Sequence, residues 1–188
     1  MPVEPEKLLY RFASRAERWR KIKDYSEVEC HEAPLVSSVH YRIPAHCRAA
    51  AGRRIAFLAD VHFTGNAADG RVADAAAARV QEFAPDLLLF GGDIAGYADT
   101  LPRLPEFLKR FESIPCPKLA VPGNWESQKL WIEPEYWREV YGAHGIRYMV
   151  NELYDDGICA VFGAEDVASA RAVVQPHWPG GKLSLIHI

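Results

Sequence analysis

The stretch RIAFLAD, residues 54–60, is the segment on which the fold of this chain depends. Its five consecutive apolar residues are closed at both ends by charged ones, a pattern typical of a strand that is buried on both faces. Two similar apolar runs follow, LLLF before Gly91 and LAV before Pro122. The intervening residues 71–83 and 102–113 are predicted to be helices. Strands that alternate with helices predict βαβ units, a parallel sheet and therefore an α/β fold.

Further elements are expected on both sides of this unit. A third helix is predicted over residues 133–144, with a proline in its first turn. The first predicted helix ends at Ala84, because the residue before a proline disfavours the α conformation. One or two edge strands are expected within residues 28–43. Later strands are predicted over 146–150, 158–162 and 183–188.

The composition is that of an ordinary soluble globular protein, with 188 residues of which 49% are hydrophobic and 25% charged. No apolar run reaches the roughly 18–20 residues that span a bilayer. The N-terminal sequence does not resemble a secretory signal, since it has no apolar core. The four cysteines include no CxxC pair, which argues against a zinc finger. Together these features predict a cytoplasmic protein.

Charge is distributed unevenly. Residues 1–23 carry seven Lys or Arg and three Glu, a net charge of +4, which leaves −7 for the remainder. Residues 1–24 are predicted to form a basic amphipathic helix that precedes a domain over residues 25–188. Either this helix packs on the domain, or residues 6–23 contact an anionic membrane as a peripheral attachment. The acidic remainder argues against a nucleic-acid scaffold.

Polar side chains follow each of the predicted buried strands. Asp60 and His62 follow the first, Asp93 the second and Asn124 the third, at separations of 33 and 31 residues from one carboxylate or amide to the next. His187 follows the last predicted strand. Because the carboxyl ends of parallel strands meet at one edge of a sheet, these donors are expected to converge. Carboxylate, imidazole and amide donors together favour Mn, Fe, Zn or Ni over calcium.

These residues resemble the motifs of a known enzyme family. Asp-x-His at 60–62, Gly-Gly-Asp at 91–93 and Gly-Asn at 123–124 are similar to the opening motifs of the calcineurin-like metallophosphoesterases. The resemblance extends from about residue 53 to residue 187 and implies an α/β/β/α sandwich built from βαβ units. The strand and motif order looks most like the bacterial phosphodiesterase subgroup that includes relatives of UDP-diacylglucosamine pyrophosphohydrolase.

The resemblance also implies a role for each donor. Asp60 and His62 would hold a first divalent metal ion, and Asp93 would bridge it to a second. Asn124 would bind the second ion through its amide oxygen, and His187 is similar to a further histidine ligand of that ion. A two-metal centre suits phosphoester hydrolysis, because it lowers the pKa of a water molecule and neutralises the phosphate oxygens.

Two departures from the family pattern affect this interpretation. Trp125 stands where the family usually has a histidine over the phosphate, and an indole cannot transfer a proton. It is therefore expected on the substrate side of the site. The final Gly-His-x-His motif is also missing, and neither His144 nor His177 fits its place. The sequence thus suggests a domain that is cut short, without its C-terminal strands.

The sequence therefore predicts a metal-dependent phosphoesterase that acts on a phosphodiester or pyrophosphate through metal-activated water. The alternative is a non-catalytic or fragmentary member that keeps the fold and binds a ligand or partner without turnover. The departures at the third and final motifs leave the activity of this 188-residue form open. The substrate, the metal and the oligomeric state are left open too.

Overall fold

A computed structural model describes residues 27–31, 35–42, 48–130, 132–164 and 183–186. The chain divides into two compact units, Met1–Ala45 and His46–Ile188. The predicted N-terminal helix, residues 1–24, lies outside the described residues. So do Trp131, the segment 165–182 and His187.

The described part of the first unit is a pair of antiparallel strands. Strand β1 is Glu27–His31 and β2 is Ser38–Arg42. They pair in a register that sets Cys30 opposite Val39. The prediction of one or two strands within residues 28–43 is confirmed, with two strands present.

The second unit is built on a parallel four-stranded sheet of order β3-β4-β5-β6. Its strands are Ile55–Leu58, Leu87–Phe90, Lys118–Ala120 and Arg147–Tyr148. Each strand lies beside the next one along the chain. The prediction of an α/β fold from βαβ units is therefore confirmed.

Strand β3 corrects the prediction that it is buried on both faces. It lies at the edge of the sheet, and the Phe57 side chain is 62% exposed, whereas Ala56 on the opposite face is buried. The four residues of β4, in contrast, are all buried. An unbroken apolar run has the same appearance at an edge as at the centre, and only the sheet order distinguishes the two.

Helix α1, Ala67–Phe83, begins before the predicted residue 71. Asn66 explains the earlier start, because its side chain accepts a hydrogen bond of 2.9 Å from the backbone N–H of Asp69 and so caps the helix. The helix ends where predicted, at Ala84, which adopts a left-handed conformation before Pro85.

The helix predicted over residues 102–113 is broken into three short pieces. A 3-10 segment, Ala98–Arg103, leads into helix α2, Leu104–Leu108, and a second 3-10 turn, Lys109–Phe111, follows. Pro102 lies inside the first piece, and Pro105 is the second residue of α2. Two prolines three residues apart remove two backbone N–H donors, which prevents one continuous α-helix.

Helix α3, Pro134–Gly142, confirms the third predicted helix and begins at its proline. A π-helical turn, Trp125–Lys129, lies between β5 and α3 and was not predicted. Side chains of all three α-helices pack on one face of the sheet around the buried aromatic rings. These rings belong to Phe63, Phe90, Phe107, Phe111, Trp137, Tyr141 and Tyr148.

The other face of the parallel sheet packs on a second sheet of order β7-β8-β9. Its strands are Glu152–Asp155, Cys159–Gly163 and Leu183–Ile186, of which the first was not predicted. Strand β8 runs antiparallel to β7 and parallel to β9. The described residues thus form a helix layer and two sheet layers of the predicted α/β/β/α sandwich. None of the described helices combines the length and the apolar character needed to cross a membrane.

Candidate metal centre

The loops that leave β3 and β4 run side by side at the carboxyl edge of the sheet. The backbone N–H of Asp60 donates to the carbonyl of Gly92 at 3.1 Å, and that of His62 donates to the carbonyl of Asp93 at 2.9 Å. These bonds continue the parallel pairing beyond the strand ends. The loops therefore hold the first two predicted motifs in a defined register.

Asp60, His62 and Asp93 form one cluster, in which a ligand atom from each lies within 4.8 Å of the others. An ion with metal–ligand distances of about 2.1 Å spans about 4.2 Å between opposite ligands. A shift of roughly half an ångström therefore suffices for these donors to hold one ion. The expected convergence is met for these three residues.

The same three residues share an uncommon backbone conformation. Their φ angles are positive, at 56° for Asp60, 48° for His62 and 53° for Asp93. Side-chain-bearing residues adopt this left-handed region at a free-energy cost, and such strain concentrates at functional sites. The strain therefore coincides with the candidate ligands.

Two glycines explain how the loops after β4 and β5 approach so closely. A Cβ atom on Gly92 would lie 2.5 Å from the backbone nitrogen of Gly123, and Gly92 itself has a φ of 89°. A Cβ atom on Gly123 would lie 2.1 Å from Oδ1 of Asp93. Only glycine fits at either position, so both glycines of these motifs serve the contact that brings Asp93 towards the third loop.

Asn124 lies directly beside Asp93. Its side-chain amide, in the orientation that satisfies both groups, donates an N–H to Oδ2 of Asp93 at 2.6 Å. The structure thus brings the third predicted donor next to the cluster.

The donor set passes a second test of fit for a metal. The Nδ1 atom of His62 is buried and has no hydrogen-bond partner within the described part of the chain. A buried polar atom normally finds a partner, and an imidazole nitrogen is a common metal ligand. Together with the two carboxylates and the Asn124 amide, the residues present fit a divalent transition metal.

Trp125 lies against this cluster rather than in the apolar core. Its ring meets that of His62 edge-on at a centroid distance of 4.9 Å, and that of Tyr97 at 5.3 Å. Its backbone N–H donates to Oδ1 of Asp93 at 2.8 Å. Tyr97 is 56% exposed. The substitution of tryptophan for the usual histidine therefore falls directly beside the candidate ligands.

Glu126 is a residue of this region to which the sequence analysis gave no role. It is only 1% exposed, and its carboxylate accepts hydrogen bonds from backbone N–H groups of the two loops that carry Asp93 and Asn124. Burial raises the pKa of this carboxyl group, although those N–H donors oppose the shift. The sequence pattern gave no signal of this burial, because a charged residue in a turn is ordinarily solvated.

The remaining histidines contribute nothing further to the cluster within the described residues. His187, the fifth predicted ligand, and His177 lie outside the described residues. His144 bonds through Nδ1 to the carboxylate of Glu112 at 2.6 Å. His144 thus has its partner in Glu112, outside the candidate cluster.

Comparison with known protein families agrees with this geometry. The sequence model of the calcineurin-like phosphoesterase family matches residues 53–173. That range includes Asp60, His62, Asp93 and Asn124 and covers more than half of the chain. The chain therefore belongs to the calcineurin-like phosphoesterases, a family of hydrolases that typically bind divalent metals. A search among curated proteins finds no match to it.

Proposed function

We propose that this protein hydrolyses a phosphodiester or a pyrophosphate at a centre of two divalent metal ions. The observation that carries the proposal is the convergence of Asp60, His62 and Asp93 within 4.8 Å in a member of a phosphoesterase family. The metals of such a centre lower the pKa of a water molecule and neutralise charge on the phosphate oxygens. Mn, Fe, Zn and Ni all suit these donors.

Each donor has a proposed role. Asp60 and His62 would hold the first ion, and Asp93 would be shared by both ions. Asn124 and His187 would hold the second ion, although His187 lies outside the described residues. Asp93 contacts Asn124 through Oδ2 and also belongs to the cluster with Asp60 and His62, which supports a shared carboxylate.

Trp125 is proposed to face the substrate. Its indole N–H can donate one hydrogen bond to an oxygen but cannot protonate a leaving group. Loss of a general acid typically costs about 10²–10⁴-fold in rate. The enzyme should therefore favour leaving groups that depart without protonation, such as a nucleotide phosphate or a nitrophenolate, over alkoxides.

The substrate class follows from the subgroup that the sequence resembles. The two leading strands β1 and β2 and the order of the motifs support a place near the bacterial relatives of UDP-diacylglucosamine pyrophosphohydrolase. A pyrophosphate linkage also matches the leaving-group argument, since a nucleotide phosphate departs as an anion. A cytoplasmic location, with peripheral membrane contact through residues 6–23, belongs to the same proposal.

Hydrolysis of bis(4-nitrophenyl) phosphate and of an alkyl phosphodiester, each with Mn²⁺ supplied, tests the proposal. We expect turnover of the nitrophenyl ester, loss of turnover with a chelator, and little hydrolysis of the alkyl ester. The variant Trp125→His is the matched comparison and should raise alkyl ester hydrolysis more than nitrophenyl ester hydrolysis. Equal rates on both esters in the unaltered protein would contradict the role given to Trp125.

The same assay separates the catalytic proposal from its alternative, a non-catalytic or fragmentary member that keeps the fold and binds a ligand or partner without turnover. Metal content should be measured on the same preparation. Bound Mn²⁺ together with no hydrolysis of any ester would favour the non-catalytic alternative and would overturn the proposed activity.

A further inference from the structure

The carboxylate of Glu126 is almost completely enclosed and accepts hydrogen bonds only from backbone groups among the described residues. A buried carboxylate requires such compensation, since isolated burial of the charge is costly. Four backbone N–H groups supply it: Asp93 at 2.9 Å, Ile94 at 2.9 Å, Ala95 at 3.1 Å and Gly123 at 3.0 Å.

These four donors come from the two loops that carry candidate ligands. Oε2 of Glu126 accepts from both loops, through the N–H of Asp93 and the N–H of Gly123. Oε1 accepts twice more from the loop after β4. A single side chain therefore ties the backbone of Asp93 to the residue that immediately precedes Asn124.

The backbone conformation at Asp93 gives this contact a specific consequence. Successive N–H groups that converge around a left-handed residue form a concavity suited to an anion. Here the φ of Asp93 is 53°, and the carboxylate of Glu126 fills the concavity from inside the protein. The conformation that directs the Asp93 side chain to the cluster is thus stabilised by an acceptor that binds the Asp93 backbone rather than its side chain.

We propose that Glu126 is a positioning residue of the metal centre, which holds the loops of Asp93 and Asn124 together so that both side chains can serve as metal ligands. The inference rests on the proposed function and adds to it a residue that acts through the ligands. Partners that orient metal ligands in this way typically change metal affinity by about 10- to 100-fold when they are removed.

The substitution Glu126→Gln tests the proposal with little change in volume. Glutamine keeps one carbonyl oxygen, but its NH₂ group would take the place of either Oε1 or Oε2. That group would then face backbone N–H donors, and two donors cannot form a hydrogen bond with each other. At least one loop attachment is therefore lost. Glu152→Gln is the matched control, since Glu152 bonds Arg138 and Arg147 in a separate part of the same unit.

The measurement is Mn²⁺ affinity by calorimetry together with the electron paramagnetic resonance spectrum of bound Mn²⁺, on the full chain. Urea unfolding of the metal-free proteins shows that each variant is folded under these conditions. We expect about 10- to 100-fold weaker binding and an altered spectrum for Glu126→Gln. Glu152→Gln should keep the affinity and the spectrum of the unaltered protein.

The outcomes separate this inference from the proposed function. Unchanged affinity and spectrum in Glu126→Gln would overturn the positioning role alone, and so would an equal loss in Glu152→Gln. An unaltered protein that binds no Mn²⁺ at Asp93 would overturn the proposed metal centre and this inference with it. If Glu126→Gln does not fold, Glu126→Asp takes its place, because it keeps the carboxylate but shortens its reach, and the same two criteria apply.

Discussion

Left-handed backbone occurs in two regions of this protein, with different consequences. Among the described residues, five that are not glycine have positive φ: Asp60, His62, Asp93, Ala84 and Asn151. The first three lie in the candidate metal centre, and the other two lie in the scaffold. Because the backbone conformation is the same in both regions, any difference between them comes from the surrounding hydrogen bonds and side chains.

At the end of helix α1 the strain is compensated within the chain. The backbone N–H of Ala84 donates to the carbonyls of Val80 and Gln81, each at 3.1 Å, which satisfies the end of the helix. In the candidate centre, the buried Nδ1 of His62 has no partner among the described residues. The strained backbone is hydrogen-bonded within the chain in both regions. The regions therefore differ in their side chains, because only the centre holds, among the described residues, a buried imidazole nitrogen without a partner, as expected of a ligand-binding site.

The largest expected effect comes from removing the carboxylate at the centre of the cluster. Asp93→Ala should abolish stable metal binding and lower phosphoesterase activity by about 10³-fold, since metal ions contribute several kcal/mol to the transition state. Metal content and nitrophenyl ester hydrolysis measure the change. Asn124→Ala should lose less metal, because Asn124 would serve one ion. Equal losses in the two variants would reject the shared role of Asp93.

The next largest effect is expected from a substitution in the hydrophobic core, which should lower stability without changing metal affinity. Phe111 is completely buried and packs on Phe90 and Phe107. Phe111→Ala should lower the free energy of unfolding by about 3–5 kcal/mol, through lost burial and a cavity. Urea unfolding measures this loss. Mn²⁺ affinity should stay within about twofold where the variant is folded, and a tenfold change would show that core and centre are coupled.

A smaller effect should depend on pH. Asp156, between β7 and β8, pairs with Arg53, which precedes β3. Partial burial raises the pKa of Asp156, but backbone N–H donors at Cys159 and Ile158, together with Arg53, outweigh burial and lower it overall. A lowered carboxyl pKa stabilises the folded state above the unfolded pKa of about 3.9, and the contribution disappears as pH falls through the folded value.

Asp156→Asn should therefore destabilise the protein by about 1–3 kcal/mol at pH near 7, and the difference should shrink below a pH of about 4. Urea unfolding across this range provides the measurement. Glu82→Gln is the control, because the Arg79–Glu82 pair is solvent-exposed and should contribute less than about 1 kcal/mol. A difference that persists unchanged at low pH would exclude the ionised carboxylate as its source.

The smallest effect is expected at Ala84, the strained residue at the end of helix α1. Ala84→Gly should stabilise the protein by about 0.5–1 kcal/mol, because glycine adopts left-handed φ without the Cβ penalty. Thermal unfolding measures the gain, and ester hydrolysis should not change. A loss of activity would mean that the strain at Ala84 also serves the centre, which would remove the distinction between the two regions.

Local pattern was sufficient for much of the fold and for the candidate donors. Apolar runs identified β3, β4 and β5, and reading the polar residues after them identified the residues that now form the cluster. The sequence did not predict the edge position of β3 or the strand β7, because neither depends on local pattern. Exposure of Phe57 follows from the sheet order, and Glu152–Asp155 forms a strand by pairing with β8.

What the sequence by itself determined was the alternation of strands and helices and the identity of the residues after each strand. Apolar periodicity and the chemistry of Asp, His and Asn are properties of a short segment. Only the tertiary structure decided that Glu126 would lie between two of the loops, since its partners are 31–33 residues away along the chain, apart from Gly123. A carboxylate in a turn is ordinarily solvated, and it becomes buried here because the loops after β4 and β5 close around it.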